Sequence, residues 1–519
     1  MDCAIYWNDV IDDLNARDHT GAPNPGDQEG PTRTSRAGAL AMLALHDAFF
    51  GVQGKPTTYL NSLPAANLGA SPQFAAAAAC AQVLSWLYPK HRAFIDEKLA
   101  TAPRGNGDTP SAATYGAAVA QALIALRKGD DRYDERHPSR PSHVATPAYG
   151  HHRVDPTNPG QGFLSAYWGE MPFLATPAAV YLAPPPGMNA AGVLDPTDPA
   201  YRAHHQEIYE RGGSPSSPAT LRTPEETAIG VFWAYDGAQK LGTPPRFYNR
   251  IIKTIAKDKA LTEEQNVRLL TLVNVALADA GIHAWYYKYR YDLWRPILGV
   301  REHTPTYGPS AEPGAARLPF SDPFWKPFGA PRTNDPNRIG FTPGFPSYPS
   351  GHASFGAAAF HVARLYLKSI GKAQLDSNGC DDVTFDVVSE ELDGISRDSD
   401  GSVRTRHVRR FSSLLQAIVE NSVSRVYLGV HWRFDGTTGG YDPGGQGPSA
   451  RFVPGADSVV VPRDAIGGVP LGIDIAEAIF RGGLKANPSE VSLANGPPAP
   501  EGEPSETESM YCLHGSWKK

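Results

Sequence analysis

Apolar residues recur at three- and four-residue steps along much of the chain, the spacing that places them on one face of an α-helix. Strand-like alternation of apolar and polar residues is rare by comparison. The pattern therefore predicts an all-α fold. The predicted helices cover residues 34–52, 72–88, 110–127, 200–211, 223–241, 245–257, 262–292, 351–369, 404–428 and 470–481.

Connecting segments rich in proline and glycine separate the predicted helices and are too long to be simple turns. They cover residues 129–198, 303–349 and 436–469. We expect them to form packed or functional loops. The predicted division is an N-terminal helical half over 1–243, a C-terminal helical half over 244–482, and an acidic, proline-rich tail over 483–519 that is extended or mobile.

The composition is that of a globular protein and argues against several kinds of partner. Of the 519 residues, 41% are hydrophobic and 20% are charged, and the net charge of -6 comes with no basic block for nucleic acid. The N-terminus lacks the basic and apolar segments of a Sec signal. Histidine and aspartate interrupt the longest apolar runs, which argues against membrane insertion. We therefore expect a soluble protein, cytoplasmic or exported by another route, and the sequence leaves homo-oligomer formation open.

The stretch FPSYPSGHASFG, residues 345–356, passes from a proline-rich segment into an alanine-rich, helix-compatible one. A helix that starts there would bring together free backbone N–H groups, its positive end, the Ser350 hydroxyl and the His352 imidazole. Together these groups suit a tetrahedral oxyanion. The plainer alternative is an ordinary loop and helix start with a structural histidine.

A second segment, WYYKYRYDLWRPILGV, carries two cations. Lys288 precedes Arg295 by seven residues, so on one continuous helix the two side chains would lie on the same face. The alternative is a solvated basic stripe in which Asp292 pairs with Lys288.

A third segment, NSVSRVYLGVHWRFDG, places Arg425 at the end of an amphipathic helix. Gly429 is a natural helix terminator, and a chain that leaves the helix there can bring His431 back toward Arg425. Ordinary core packing of aromatic residues around a helix end is the alternative.

Taken together, the three segments contain a donor set that could neutralise up to three negative charges on a tetrahedral oxyanion while one imidazole bonds its central atom. The expected ligand is phosphate or vanadate. The set consists of the cations Lys288, Arg295 and Arg425, the neutral donors Ser350 and Gly351, and the imidazoles of His352 and His431.

This arrangement resembles the three-part signature of vanadium-dependent haloperoxidases and type 2 phosphatidic acid phosphatases. The signature reads Lys288…Arg295-Pro296, Pro349-Ser350-Gly351-His352 and Ser424-Arg425…Gly429…His431-Trp432…Asp435. The N-terminal segments AIYWNDVIDDLNARDHTG and SRAGALAMLALHDAFFGV are similar to the opening of vanadium chloroperoxidases. The resemblance implies two four-helix bundles with long connecting loops.

The resemblance also implies a role for each residue of the signature. His431 would be the nitrogen ligand of vanadium, and His352 would be the acid–base histidine. Asp435 would orient an imidazole or bind a neighbouring arginine, unless it only caps a helix. The oxygens of vanadate would accept hydrogen bonds from Lys288, Arg295, Ser350, Gly351 and Arg425.

The implied reaction is the oxidation of a halide by hydrogen peroxide to hypohalous acid, which then halogenates a small organic acceptor. Vanadium(V) would act as a Lewis acid, and Lys288 would polarise the O–O bond of the peroxide. Phosphate has the same shape and charge as vanadate and is expected to occupy the site in its absence.

Two aromatic residues match chloroperoxidases rather than bromide-selective relatives, which have His and Arg at the corresponding positions. These residues are Phe345 and Trp285. An apolar pair of this kind would keep a chloride ion partly desolvated. The alternative is that both residues simply pack the core.

Other functions remain open on the sequence alone. A soluble acid phosphatase could use the same site, with His431 attacking phosphorus to form a phosphohistidine and His352 protonating the leaving group. A non-enzymatic anion-binding or storage protein is a third reading. The adjacent pairs His151-His152 and His204-His205 are poorly arranged for a metal and are predicted to lie in loops or on the surface.

Overall fold

The computed structural model of the chain describes residues 2–21, 26–336, 340–376, 380–437, 466–486, 491–494 and 496. Helices dominate these residues, which confirms the predicted fold class. The α-helices are α1 (Cys3–Asp18), α2 (Pro31–Val52), α3 (Pro72–Leu87), α4 (Arg92–Thr101), α5 (Thr109–Arg127), α6 (Pro199–Arg211), α7 (Pro224–Phe232), α8 (Pro244–Asp258), α9 (Glu263–Tyr291), α10 (Pro296–Glu302), α11 (Gly351–Ser369), α12 (Leu414–Tyr427), α13 (Arg433–Gly436) and α14 (Gly468–Gly482).

The remaining regular elements are short. Two strands, β1 (Phe385–Val388) and β2 (Val408–Phe411), pair antiparallel, with Phe385 opposite Phe411. Short 3₁₀-helices lie at Pro89–His91, Lys128–Tyr133, Trp168–Glu170 and Glu390–Leu392. Residues of the last of these helices form hydrogen bonds with Tyr235.

Two of the predicted helices are wrong in extent, and both errors have a tertiary cause. The helix predicted over 223–241 ends at Phe232, because the segment that follows bonds to other parts of the fold. The helix predicted over 404–428 begins only at Leu414. The residues before it form β2, whose side chains alternate between exposed and buried as a paired strand requires.

The central element of the core is α9, which a capping box between Thr262 and Gln265 begins. Among the described residues, α9 is the one helix long and apolar enough to cross a membrane, yet 94% of its apolar window is buried inside the protein. It packs against α1, α2 and α8 as well as against α11 and α14. The helix is therefore part of the protein's own core.

Helices on the two sides of α9 pack mostly with partners from their own part of the sequence. In the first part α2 packs against α3 and α5, and in the second α11 packs against α14, α12 and α8. The boundary near residue 243 and the arrangement as two four-helix bundles stay predictions.

The predicted connecting segments and tail differ in how much of them the structure describes. Residues 129–198 and 303–349 are mostly irregular, whereas most of 436–469 and residues 497–519 lie outside the described residues. The described parts of the tail are packed: the Ala486 amide donates to the Tyr59 carbonyl at 3.0 Å, and Leu493 is fully buried.

Candidate active site

A cavity of about 540 Å³ brings together the three sequence segments that carry the predicted chemistry. Six of the predicted residues line it: Trp285, Phe345, Gly351, His352, Arg425 and His431. Three further predicted residues have no exposed surface: Lys288, Arg295 and Ser350. Lys288 contacts Phe345 and Arg295 contacts His431, while Ser350 directly precedes Gly351 in the sequence. The signature residues, up to 147 positions apart, thus form one cluster.

The N-terminus of α11 forms one wall of the cavity, as the sequence predicts. Ser350 is the N-cap, and its hydroxyl accepts a hydrogen bond from the Ala353 amide at 3.4 Å. The Ser350 amide donates to the Asp435 carbonyl at 2.7 Å. Helix geometry leaves the N–H groups of Gly351 and His352 without a carbonyl partner inside the helix, so both are available to an anion.

His352 is held in one tautomer by a backbone carbonyl. Its Nε2 lies 2.7 Å from the carbonyl oxygen of Ala234, and because a carbonyl only accepts, Nε2 carries the proton and Nδ1 keeps the lone pair. Burial, and secondly the positive charge of Arg425, lower the pKa of His352 to about 3. An anion bound beside it would offset the charge of Arg425 and raise this pKa.

His431 is oriented by a carboxylate. Its Nδ1 donates to Oδ2 of Asp435 at 2.7 Å, and the same oxygen accepts from the Trp432 amide at 3.0 Å and from the Ser347 hydroxyl. The lone pair of His431 therefore lies on Nε2. Burial and the nearby cations hold the pKa of His431 well below its usual value, so the ring is neutral and able to bind a metal.

The two cations of the second segment do not share a helix, and that expectation is wrong. α9 ends at Tyr291 because Asp292 adopts a left-handed conformation with φ 48°, and Arg295 is the N-cap of α10. Asp292 pairs with His151 at 3.0 Å and not with Lys288, as the alternative reading had it. A turn between two helices brings the cations together instead.

Lys288 donates to three backbone carbonyls that precede the α11 N-terminus. Its Nζ lies 2.9 Å from the oxygens of Pro346 and Ser347 and 2.5 Å from that of Pro349. The ammonium group therefore shapes the segment leading to Ser350. To donate to an oxyanion as well, it has to exchange one of these bonds.

Two buried guanidinium nitrogens of the site lack a partner among the residues described. Arg295 donates from Nη1 to His431 Nε2 at 2.9 Å and from Nε to the Phe345 carbonyl at 2.8 Å, but its Nη2 has no partner. Arg425 forms a two-pronged ion pair with Asp236, at 3.0 and 2.7 Å, and its Nε has no partner. Buried donors of this kind indicate a missing acceptor.

The electrostatics of the cations indicate the charge of that acceptor. Burial, followed by repulsion from Arg295, holds the pKa of Lys288 well below its usual value. Burial also lowers the pKa of Arg295 to about 9, and repulsion from Arg425 adds to this. A bound anion would relieve the repulsion among these groups. The donor set therefore fits a tetrahedral oxyanion such as vanadate or phosphate.

The two predicted halide-pocket residues contact each other and the cations. The ring centroids of Trp285 and Phe345 are 4.8 Å apart, and Lys288 Nζ lies 5.0 Å from the centre of the Phe345 ring. Arg295 lies 4.9 Å from the same ring centre. Both aromatic residues thus form an apolar wall directly beside the positive charge.

Sequence reasoning missed two contributions to the site, Asp236 and the carbonyl of Ala234. Both follow α7 in a stretch that the apolar pattern assigns to a continuing helix, so the pattern gave no reason to select them. The prediction of loop or surface positions is wrong for His204 and His205, which are buried in α6, whereas His151 and His152 lie in an irregular segment.

Two family descriptions match this chain. Residues 2–161 match the vanadium chloroperoxidase N-terminal domain, and residues 268–444 match the VCPO second helical-bundle domain. Nearly the whole chain also aligns with a curated member of that family. The chain therefore belongs to the family of vanadium-dependent haloperoxidases.

The curated relative is vanadium chloroperoxidase from Curvularia inaequalis. It is 33% identical, and the alignment covers 99% of this chain and 95% of the relative. The fold is also similar to that of a bacterial vanadium-dependent iodoperoxidase, with a TM-score of 0.61 at 19% identity over 92% of this chain and 95% of that one. An apo-type bacterial vanadium-dependent chloroperoxidase has a TM-score of 0.56 at 14% identity, covering 88% and 95% of the two chains.

Proposed function

We propose that the protein is a vanadate-dependent haloperoxidase that uses hydrogen peroxide to oxidise bromide and chloride to hypohalous acid, which halogenates small organic acceptors. Membership of the haloperoxidase family supports the peroxidase activity. The observation that carries the proposal is the pair of unpartnered guanidinium nitrogens of Arg295 and Arg425 beside the neutral imidazole of His431.

Each side chain of the site has a proposed task toward the cofactor. When bound, vanadate supplies a Lewis-acid centre that activates peroxide without a change in oxidation state. His431 holds it through Nε2, and Asp435 fixes that ring by accepting from Nδ1. Its oxygens would accept from Arg295, Arg425, Lys288 and the Ser350 and Gly351 groups at the α11 N-terminus.

His352 is the proposed proton carrier. Nδ1 would take a proton from hydrogen peroxide and give it to the oxygen that leaves as hypohalous acid, since Nε2 is committed to the Ala234 carbonyl. Without an anion its pKa of about 3 makes it a weak base. A bound oxyanion would raise that pKa and make Nδ1 a stronger base.

Vanadate is expected to switch the activity on. Protein freed of anions should oxidise bromide only after orthovanadate is added, and phosphate should delay this activation because it competes for the same buried cations. Bromination of phenol red, followed against vanadate concentration with and without phosphate, measures both effects. Restoration by iron or haem in place of vanadate would contradict the proposal. So would cleavage of p-nitrophenyl phosphate at high turnover without bromide oxidation, which would instead favour the acid phosphatase.

Chloride oxidation is expected to depend on Phe345. Phe345→His replaces apolar wall with a polar ring that holds water near the halide, so chloride turnover should fall roughly tenfold more than bromide turnover, equivalent to about 1.4 kcal/mol of barrier. Chlorination and bromination of monochlorodimedone at about pH 5 give the two rates. At this pH His431 and Arg295 keep their proposed charge states.

Phe341→His is the matched control for this variant. Phe341 also lines the cavity and also lies under a guanidinium, with Arg332 3.6 Å from its ring centre. Its substitution should leave the ratio of the two halide rates unchanged. If the parent protein uses bromide readily but no chloride, the chloride part of the proposal is wrong.

A further inference from the structure

Two groups reach the active site from a segment with irregular backbone. Residues 233–236 follow the end of α7, and Tyr235 has a φ of +46°, a conformation that a bulky residue keeps only when its surroundings impose it. Within this segment Ala234 contacts His352 and Asp236 pairs with Arg425. The positions of both contacts therefore depend on what holds the segment.

The residues Ser389–Glu391 hold this segment on both sides of Ala234. The Ser389 hydroxyl donates to the Phe232 carbonyl at 2.7 Å, and the Glu390 amide donates to the Tyr235 hydroxyl at 2.9 Å. The Tyr235 amide donates to Oε1 of Glu391 at 3.1 Å. The last bond fixes the backbone directly between the two residues that contact the site.

The second oxygen of Glu391 ties the same segment to another wall of the cavity. Oε2 accepts from the Thr333 hydroxyl and from Nη1 of Arg404, both at 2.5 Å. Thr333 lines the cavity together with Tyr235 and Asp236. One carboxylate with no exposed surface thus joins two separate stretches of cavity wall.

A buried carboxylate is an expensive way to hold two segments together if stability alone is needed. Burial of the charge has a large desolvation cost, and apolar packing of equal volume often stabilises a fold as well or better. Unlike apolar packing, a carboxylate with both oxygens bonded fixes the directions of its hydrogen-bond partners. Both oxygens of Glu391 are bonded in this way.

We propose that Glu391 is a positioning residue for the active site. It holds residues 233–236 so that Asp236 aligns the Arg425 guanidinium toward a bound oxyanion and the Ala234 carbonyl keeps His352 in its tautomer. The inference rests on the proposed function because it assumes that Arg425 and His352 serve an oxyanion in this cavity. Nothing in the sequence pattern indicates the role, since Glu391 lies 34 residues before Arg425 in a different element.

The test compares Glu391→Gln and Glu391→Asp with the parent chain. Gln keeps the size but has one acceptor oxygen, so its NH2 group must face a donor, either the Tyr235 amide or Thr333 and Arg404, whereas Asp keeps the charge on a shorter side chain. We expect the affinity for inorganic phosphate, measured by calorimetry on the vanadate-free protein, to fall roughly 2- to 30-fold in Glu391→Gln, the range of coupling carried through a packed network. Glu391→Asp should recover part of the loss. With vanadate bound, kcat for bromide should fall while KM for bromide changes little.

Asp381→Asn is the matched control, because Asp381 is also a buried carboxylate that bonds an arginine, Arg364, at 2.7 Å and accepts from backbone amides. It should lower the thermal unfolding temperature without changing phosphate affinity. If Glu391→Gln behaves in the same way, with lower stability but parental affinity and kcat, Glu391 is only structural and the proposal is overturned.

A milder variant and an independent readout keep the result decisive. If Glu391→Gln does not fold, Thr333→Val removes a single bond to the same carboxylate, and an unchanged phosphate affinity in that variant also overturns the proposal. Phosphate affinity does not depend on halide oxidation. Absence of bromide oxidation by the vanadate-loaded parent would therefore reject the proposed function, while the comparison of phosphate affinities still decides the role of Glu391.

Discussion

Replacing His431 with alanine is expected to abolish tight vanadate binding and, with it, halide oxidation. His431 Nε2 carries the lone pair of a neutral imidazole that Asp435 orients, and it would exchange the hydrogen bond it accepts from Arg295 for a bond to vanadium. Loss of a residue that hydrogen-bonds a metal ligand already lowers metal affinity about 10- to 100-fold, and loss of the ligand itself should lower it further. Equilibrium dialysis of the variant with orthovanadate measures the effect.

His352→Ala is the control for the His431→Ala variant. Both histidines are buried and belong to the same cavity, so a nonspecific loss of packing would affect the two variants alike. We expect His352→Ala to retain vanadate and His431→Ala to lose it. Equal vanadate affinity in the two variants would show that His431 is not the ligand.

The same His352→Ala variant is expected to lose most of its turnover. Proton transfer at Nδ1 should vanish with the imidazole, and general acid–base groups contribute about 10²–10⁴-fold to rates. Steady-state bromide oxidation at saturating vanadate gives the loss in kcat. His361→Ala is the control, because His361 is buried in the same helix α11 but bonds Arg364 and not the cavity. Comparable losses in kcat for the two variants would contradict a catalytic role for His352.

Acid stability provides a second readout for His352. Its pKa in the folded protein, about 3, lies below the ordinary value of 6.5, so above pH 6.5 folding carries no penalty at this residue. As the pH falls from 6.5 toward 3, the unfolded chain takes up a proton that the folded chain excludes, and stability is lost. Vanadate-free His352→Ala should therefore lose less stability over this range than the parent protein in denaturant titrations.

The sequence predicted which segments come together better than it predicted the turns that bring them together. The start of α11 at Gly351 and the helix end before Gly429 are local features, and both are confirmed. Gly429 has φ 71°, and a side chain there would collide with the Gly212 carbonyl. Such positions are set by backbone conformation within a few residues, which is why a short motif could reveal them.

Contacts between distant segments account for what the sequence could not show. The apolar pattern continues past Phe232, but bonds from Glu391 and His352 end the helix and bring Asp236 to Arg425. In the same way Lys288 and Arg295 meet across a turn at Asp292 and not along one helix. Helical periodicity reports which face is apolar, but it carries no information about a partner more than 100 residues away.

A crystal structure of the protein soaked with orthovanadate is the most direct test of the account. The predicted result is a single oxyanion in the cavity, with its vanadium bonded to His431 Nε2 and its oxygens within hydrogen-bonding distance of Arg295, Arg425, Ser350 and the Gly351 amide. Binding at any other place, or binding in the cavity with no bond between vanadium and His431, would contradict the central claim.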